Sequence, residues 1–243
     1  MNKIIKYFKK SSVYALIILL AVLMIYYLFE TKPFQIKNIN IKGNSFLTKS
    51  SIKDQIKINN KTILNIDFKS LKKLLLKNNY IQDVKIYIEF PNSLNINIIE
   101  INPIAVIEEK EKIFFIDEKL NLIPIDIEAL NHFTNIPIIT NLSGNNINLN
   151  LSGEIVSKIL NNAKNIYDNL NELRYYNNKT KLYIGENTEI IINNQNLKND
   201  LNKLFSFNNQ FIKKNNISID KKYKQINLTV KNQIITLEKN ETI

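Results

Sequence analysis

No cysteine occurs in the 243 residues. Disulfide frameworks, thiolate zinc sites and cysteine nucleophiles are therefore excluded, and in an oxidising compartment the chain would stand on its core alone. Arginine is nearly missing as well. Arg174 is the single example, so the formal net charge of +11 comes from lysine. A nucleic-acid surface calls for arginine's bidentate fork and for basic residues gathered on one face. Here lysine is spread along a chain equally crowded with Asn and Ile, the mark of A/T-rich codons, and nucleic acid is not read as a partner. The same bias discounts N-x-[ST] triplets such as Asn60-Lys61-Thr62 and Asn141-Leu142-Ser143. The one histidine, His132, stands between Asn131 and Phe133 in an expected loop. Alone, it makes neither a zinc site nor a Ser-His-Asp arrangement. No strained nucleophile turn marks a Ser-Lys dyad. Glu108, Glu109 and Glu111, beside Lys110 and Lys112, read as a solvated hairpin turn. No catalytic residue, metal, cofactor or small-molecule substrate is expected, and an enzyme is not the expected class.

What the chain does have is a long apolar run. Residues 13 to 29, VYALIILLAVLMIYYLF, are uncharged and are extended by Ser11 and Ser12. As a helix this length just spans a hydrocarbon core of about 30 Å. Lys3, Lys6, Lys9 and Lys10 precede it, while Glu30 and Lys32 cancel after it, so the positive-inside rule keeps the N-terminus in the cytoplasm. A cleaved signal peptide would end in small residues; this run exits through YYLFETKPF, which is bulky throughout. The expectation is a cytoplasmic tail over 1–11, a retained transmembrane helix over 12–30, and the remainder across the inner (plasma) membrane.

Residues 43 to 50, GNSFLTKS, are one substitution from the phosphate-cradling G-x-x-x-x-G-K-[ST]. Thr48 stands where the second glycine is needed, and no buried parallel strand with a long helix flanks it. The stretch reads instead as a strand through Phe34, Ile36, Ile39 and Ile41 with a bulge, a Gly43-Asn44 turn needing φ > 0, and a capping box at Ser51 to Asp54 opening a helix through Ile56. Asp67 then caps a helix with Phe68, Leu71, Leu74 and Leu75 on one face. Val84, Ile86, Ile88 and Phe90 alternate with polar neighbours, Pro91-Asn92-Ser93 turns, and Leu94, Ile96 and Ile98 alternate back. The order is β-α-α-β-β.

That pattern resembles a POTRA domain in the form found in the bacterial cell-division proteins FtsQ and DivIB. The resemblance is carried by FQIKNINIKGN…TKSSI, ILNIDFKSL and VKIYIEFPNSLNINIIEINPIAVI, and by the apolar run just upstream. It continues through FFIDEKLNLIP, NIPIITNLSG and ISIDKKY. Three positions depart from the family pattern: Ile101 for an arginine after Glu100, Leu120 for a glycine, and Lys222 for an arginine before Tyr223. The resemblance implies a POTRA-like domain over 34–102, a second domain over 103–237 and a polar tail over 238–243.

In the second half, Val106-Ile107 and Ile113 to Ile116 read as paired strands. Ile155 through Leu170 recur at helical spacing over about four turns. Leu182 to Ile184 and Glu189 to Ile192 read as strands, and Leu197, Leu201, Leu204 and Phe205 as a further helix. Ile217 to Ile219, Ile226 to Val230 and Ile234 to Leu237 read as short strands. The fold class is thus α+β: one transmembrane helix, a β-α-α-β-β unit, and a mixed α/β domain with an edge strand near its C-terminus. An edge strand can accept a partner's strand. The resemblance places the docking of FtsB- and FtsL-like coiled-coil proteins on Asp220, Lys222, Tyr223, Ile226, Leu228 and Val230. The residues alone equally allow these positions merely to close the sheet. The function implied is a membrane scaffold at the division septum that helps control septal peptidoglycan synthesis, with the synthase FtsW/FtsI among further partners. The rival readings are a POTRA-containing outer-membrane assembly or secretion component and, less favoured, a membrane-anchored wall-modifying enzyme.

Overall fold

The computed structural model describes residues 2–58, 61–109, 112–141 and 149–239. Asn60, Lys110, Glu111, the segment 142–148 and the tail 240–243 lie outside them, and with them parts of the charged turn, both N-x-[ST] triplets and the expected polar tail. The chain divides into two compact units, 1–100 and 101–243.

The first unit begins with one continuous helix, α1 (Asn2–Thr31). Its side chains are described over 13–27, where every one is exposed. Among the described residues no helix is long and apolar enough to cross a membrane. The expected span over 12–30 also needs residues 12, 28 and 29, whose side chains lie outside the description.

After α1 come β1 (Asn38–Lys42), α2 (Lys49–Ile56), α3 (Phe68–Leu75), β2 (Ile81–Glu89) and β3 (Ser93–Glu100), in sheet order β1-β3-β2. The β-α-α-β-β order holds. β2 and β3 form the antiparallel hairpin, with Val84 opposite Ile98 and Ile86 opposite Ile96, while β1 runs parallel to β3. The apolar side of this sheet (Ile41, Val84, Leu94, Ile96, Ile98) is buried together with Ile52 and Ile56 of α2 and Leu71 and Leu75 of α3. Two local expectations are corrected. The first strand is shorter than Phe34–Ile41 and carries no bulge in that stretch, because Gln35 leaves the sheet to bridge Thr62. The helix cap is Thr48, not Ser51: the Thr48 hydroxyl accepts the Ser51 N–H, so α2 starts three residues earlier than the capping box implied. Asp67 caps α3 as expected, accepting from Lys69 and Ser70.

The second unit is one nine-stranded sheet with helices. Its elements are β4 (Pro103–Glu109), β5 (Lys112–Asp117), β6 (Leu122–Pro124), α4 (Ile127–His132), β7 (Ile138–Asn141), α5 (Leu149–Asn162), α6 (Lys164–Tyr167), β8 (Leu170–Tyr175), β9 (Lys179–Ile184), β10 (Thr188–Asn193), α7 (Leu197–Asn215), α8 (Ile219–Lys222), β11 (Tyr223–Asn227) and β12 (Ile235–Glu238). The strand order is β12-β11-β10-β9-β8-β7-β4-β5-β6, and neither β12 nor β6 has a second neighbour among the described residues. The core joins Ile155 and Ile159 of α5 and Leu201 and Leu204 of α7 to Ile139, Leu173, Leu182, Ile190 and Ile226 of the sheet.

Several expectations shift here. The helix read over Ile155–Leu170 breaks at Ala163, and Leu170 already opens β8. His132 closes α4 instead of lying in a loop. Ile217 to Ile219 is not a strand: Ser218 stands at the N-cap position of the short α8, without a side-chain cap bond, and Ile219 opens the helix. The strand read as Ile226–Val230 runs Tyr223–Asn227, and Leu228 to Val230 leave it. Leu120, where the resembled pattern has glycine, does adopt a left-handed φ of 64°. Its side chain fills the space above Gly153, where an added Cβ would fall 2.2 Å from a Leu120 methyl.

Candidate docking site at the C-terminal sheet edge

β11 is an interior strand. It pairs in parallel with β10 and antiparallel with β12, which has no second neighbour among the described residues. This fixes the positions of the six residues assigned to partner docking. Tyr223, Ile226 and Leu228 are buried, as is Asp220 at 2 % exposure. The Tyr223 ring packs 5.6 Å from Phe207 and 5.4 Å from Phe211. The Asp220 carboxylate sits under Gly185 of the β9–β10 turn and accepts from the Ser218 hydroxyl. Thr188 donates to the carbonyls of both Asp220 and Tyr223, at 3.1 and 2.6 Å. Only Lys222 and Val230 keep partial exposure. Lys222 spans to β12, 3.0 Å from Glu238, and that bond holds its ammonium above the usual lysine value.

All four residues of β12 are exposed. Ile235 lies opposite Asn227 and Leu237 opposite Gln225, so both apolar side chains stand on the outer side of the sheet, 52 % and 54 % exposed. Between this edge and the β9–β10 turn runs an open cleft of about 850 Å³, lined in part by Tyr183, Glu189, Gln225 and Leu237. On one wall of the cleft the polar side chains are bonded to one another. Glu189 accepts from Tyr183 (3.0 Å) and Gln225 (2.8 Å) and pairs with Lys181 at 2.6 Å. Partial burial pushes the Glu189 carboxyl up, and these three partners outweigh it and leave it below the usual carboxylate range. Arg174 continues the network, 2.8 Å from Glu172 with its guanidinium 4.5 Å over the Tyr183 ring. The bond from Arg174 is the main reason the Glu172 carboxyl sits low. Such a face offers a partner fixed polar walls, with the free hydrogen-bonding groups on the β12 backbone and apolar contact at Ile235 and Leu237.

The first unit contains a second backbone feature able to bind. In loop 43–47, Gly43 takes φ 81°, as the turn requires. The N–H groups of Ser45, Phe46 and Leu47 then converge on one carboxylate, that of Glu100, at 3.0, 2.8 and 2.8 Å. The P-loop-like stretch is thus an anion nest whose anion is supplied by the chain itself. An added Cβ on Gly43 would lie 2.0 Å from the Ile98 carbonyl oxygen.

The sequence reading named Glu100 only within the family pattern and Ile234 to Leu237 only as a short strand; it did not find the bonds of Glu100 to loop 43–47 or the Arg174 network. Arg174 carried a signal, since a lone arginine in a lysine-rich chain marks a site where the planar fork is needed. Among the described residues no group of three or more His, Asp and Glu side chains could hold a metal ion.

Residues 34–100 match the family described as POTRA domain, FtsQ-type, which upholds over this domain the resemblance to FtsQ and DivIB. No curated protein matches the chain. Among solved structures, the major extracytoplasmic domain of the trans isomer of the bacterial cell division protein DivIB from Geobacillus stearothermophilus is similar at 13 % identity. That match covers 40 % of this chain and 82 % of the other, with a TM-score of 0.28.

Proposed function

We propose that this chain, of the FtsQ/DivIB type by its POTRA domain, is a bitopic division scaffold. Residues 12–30 anchor it in the inner membrane with the short N-terminus in the cytoplasm, and β12 docks an extended segment of an FtsB- or FtsL-like coiled-coil protein. Through that contact it helps control septal peptidoglycan synthesis by FtsW/FtsI. The observation that carries the docking is the edge itself. β12 ends a nine-stranded sheet with one hydrogen-bonding side unpaired among the described residues and with Ile235 and Leu237 exposed beside it.

Truncation before Ile217 would remove the buried Ile219, Tyr223, Ile226 and Leu228 along with the edge, so point changes give the cleaner test. The absence of cysteine makes Thr236→Cys a unique attachment point. Crosslinking from that position in native membranes, read by mass spectrometry, is expected to capture coiled-coil division proteins. Ile235→Lys with Leu237→Lys is expected to abolish the capture and to change stability by about 0.5 kcal/mol or less, as for surface substitutions. Undiminished capture by the double variant would place the docking surface elsewhere.

A further inference from the structure

β12 gains little from its own burial, and its position depends on what holds the segment that leads into it. After Asn227 the chain passes through Leu228, Thr229 and Val230 and turns at Asn232, which takes a left-handed φ of 59°. This segment is held from the side by α7. The ammonium of Lys203 donates to the carbonyl of Leu228 and, at 3.0 Å, to that of Val230. Its third contact is Asp200, 2.9 Å away on the preceding turn of the helix. An ammonium has three donors, and these contacts use all of them.

Asp200 is fully buried. Its other oxygen accepts the backbone N–H of Asn193 at 2.9 Å, where β10 ends. Asn196 donates to the same carboxylate at 3.3 Å. One ion pair, with its carboxylate buried and its ammonium half-buried, therefore ties together the end of β10, the first turns of α7 and the segment that feeds β12. A hydrophobic contact could fill the space but could not aim two carbonyls.

We infer that Lys203, oriented by Asp200, is the positioning residue that presents the C-terminal edge strand. With the clamp in place the 228–230 carbonyls are fixed and β12 starts in register on β11. Without it the lead-in keeps the Leu228 N–H bond to the Ile191 carbonyl, and β12 keeps its ladder to β11, the Lys239 N–H bond to the Lys222 carbonyl and the exposed Lys222–Glu238 pair. The 228–230 carbonyls are no longer aimed, and β12 frays. The inference rests on the docking reading of β12 for its functional meaning, and on the clamp geometry alone for its structural content.

The test uses the full chain with Asp200→Asn and Lys203→Met together. This pair removes both charges, so no unpaired carboxylate is left buried, and the asparagine oxygen still accepts from Asn193. Hydrogen exchange is followed at residues 235–238 and, as an internal reference, at β10 and α7. Exchange of 235–238 is expected to rise at least about tenfold while β10 and α7 stay protected, the pattern of a local opening. Lys203→Met alone leaves Asp200 unpaired and is expected to add loss of protection in α7. Unchanged exchange at 235–238 in the double variant overturns the inference, and so does an equal rise in β10 and α7, which would make the pair a general element of stability. Crosslinking from Thr236→Cys separates the two readings. Faster exchange with capture lost supports both, whereas faster exchange with capture intact supports the clamp and overturns docking at β12.

Discussion

Loop 43–47 in the first unit and strand β12 in the second both turn backbone hydrogen-bonding groups away from a sheet, and the chain treats them differently. In the loop, three N–H groups that could have cradled an external anion are filled by Glu100, from the end of the neighbouring strand. At β12 no second strand pairs the outer side among the described residues, and the side chains beside it are apolar. Unsatisfied polar backbone is costly when buried and tolerable only in water or against a partner. The closed feature is therefore architecture, and the open one is where association can stabilise the molecule.

The comparison is broken most severely at Gly43. A Cβ there would lie 2.0 Å from a backbone oxygen that cannot rotate away, at a φ of 81° that L side chains avoid. Gly43→Ala is expected to cost about 3 kcal/mol or more, read as a lower urea midpoint with unchanged slope. A loss under 1 kcal/mol would mean that the loop can relax and is not locked against β3.

Glu100 comes next. Glu100→Ala removes the acceptor for three N–H groups and is expected to cost about 2 kcal/mol, discounted for the partial exposure of the site. Glu100→Gln, with one carbonyl oxygen, should recover roughly half of that. Inorganic phosphate should not raise the melting temperature of the unsubstituted protein, because its nest is full. A clear rise would show that Glu100 yields to an outside anion, and the closed side of the comparison would fall.

How much of this was legible follows from the range of the interactions. The hairpin at Pro91, the turn at Gly43 and the cap at Asp67 are local and were read from the residues. Glu100 was not, because it reaches back over 53 residues or more to the loop it closes. The alternation near Ile226 announces a strand but not its neighbours, so nothing in it showed that the docking positions taken from the resemblance fall on an interior strand, with Tyr223, Ile226 and Leu228 buried. Ile217-Ser218-Ile219 looks like a strand because two isoleucines flank a polar residue, yet a turn of helix opens at Ile219. The apolar run from Ile155 to Leu170 hid the break at Ala163 because burial continues through it. In α7 the Asn- and Lys-rich stretch after Phe205 hid ten further helical residues. The pairing of Lys203 with Asp200 needed the fold to show what the ammonium reaches.

The smallest expected effect sharpens the open side. Lys222, the last residue of α8 just ahead of β11, forms a side-chain ion pair with Glu238 of β12, and both are substantially exposed. Glu238 raises the pKa of Lys222 in the folded state above its value in the unfolded chain. A raised pKa contributes stability that is complete below the unfolded value, near 10.4 for lysine, and is lost as the pH climbs through the folded value. A maleimide spin label on Thr236→Cys should therefore report constant mobility from pH 7 to about 10 and a modest increase above it. With Lys222→Arg, whose guanidinium stays charged, the rise should vanish. Salt should imitate high pH partially, since an exposed pair is screened. If mobility rises equally in the arginine variant, the pair does not hold the strand end, and the order of β12 rests on the Lys203 clamp and the ladder to β11.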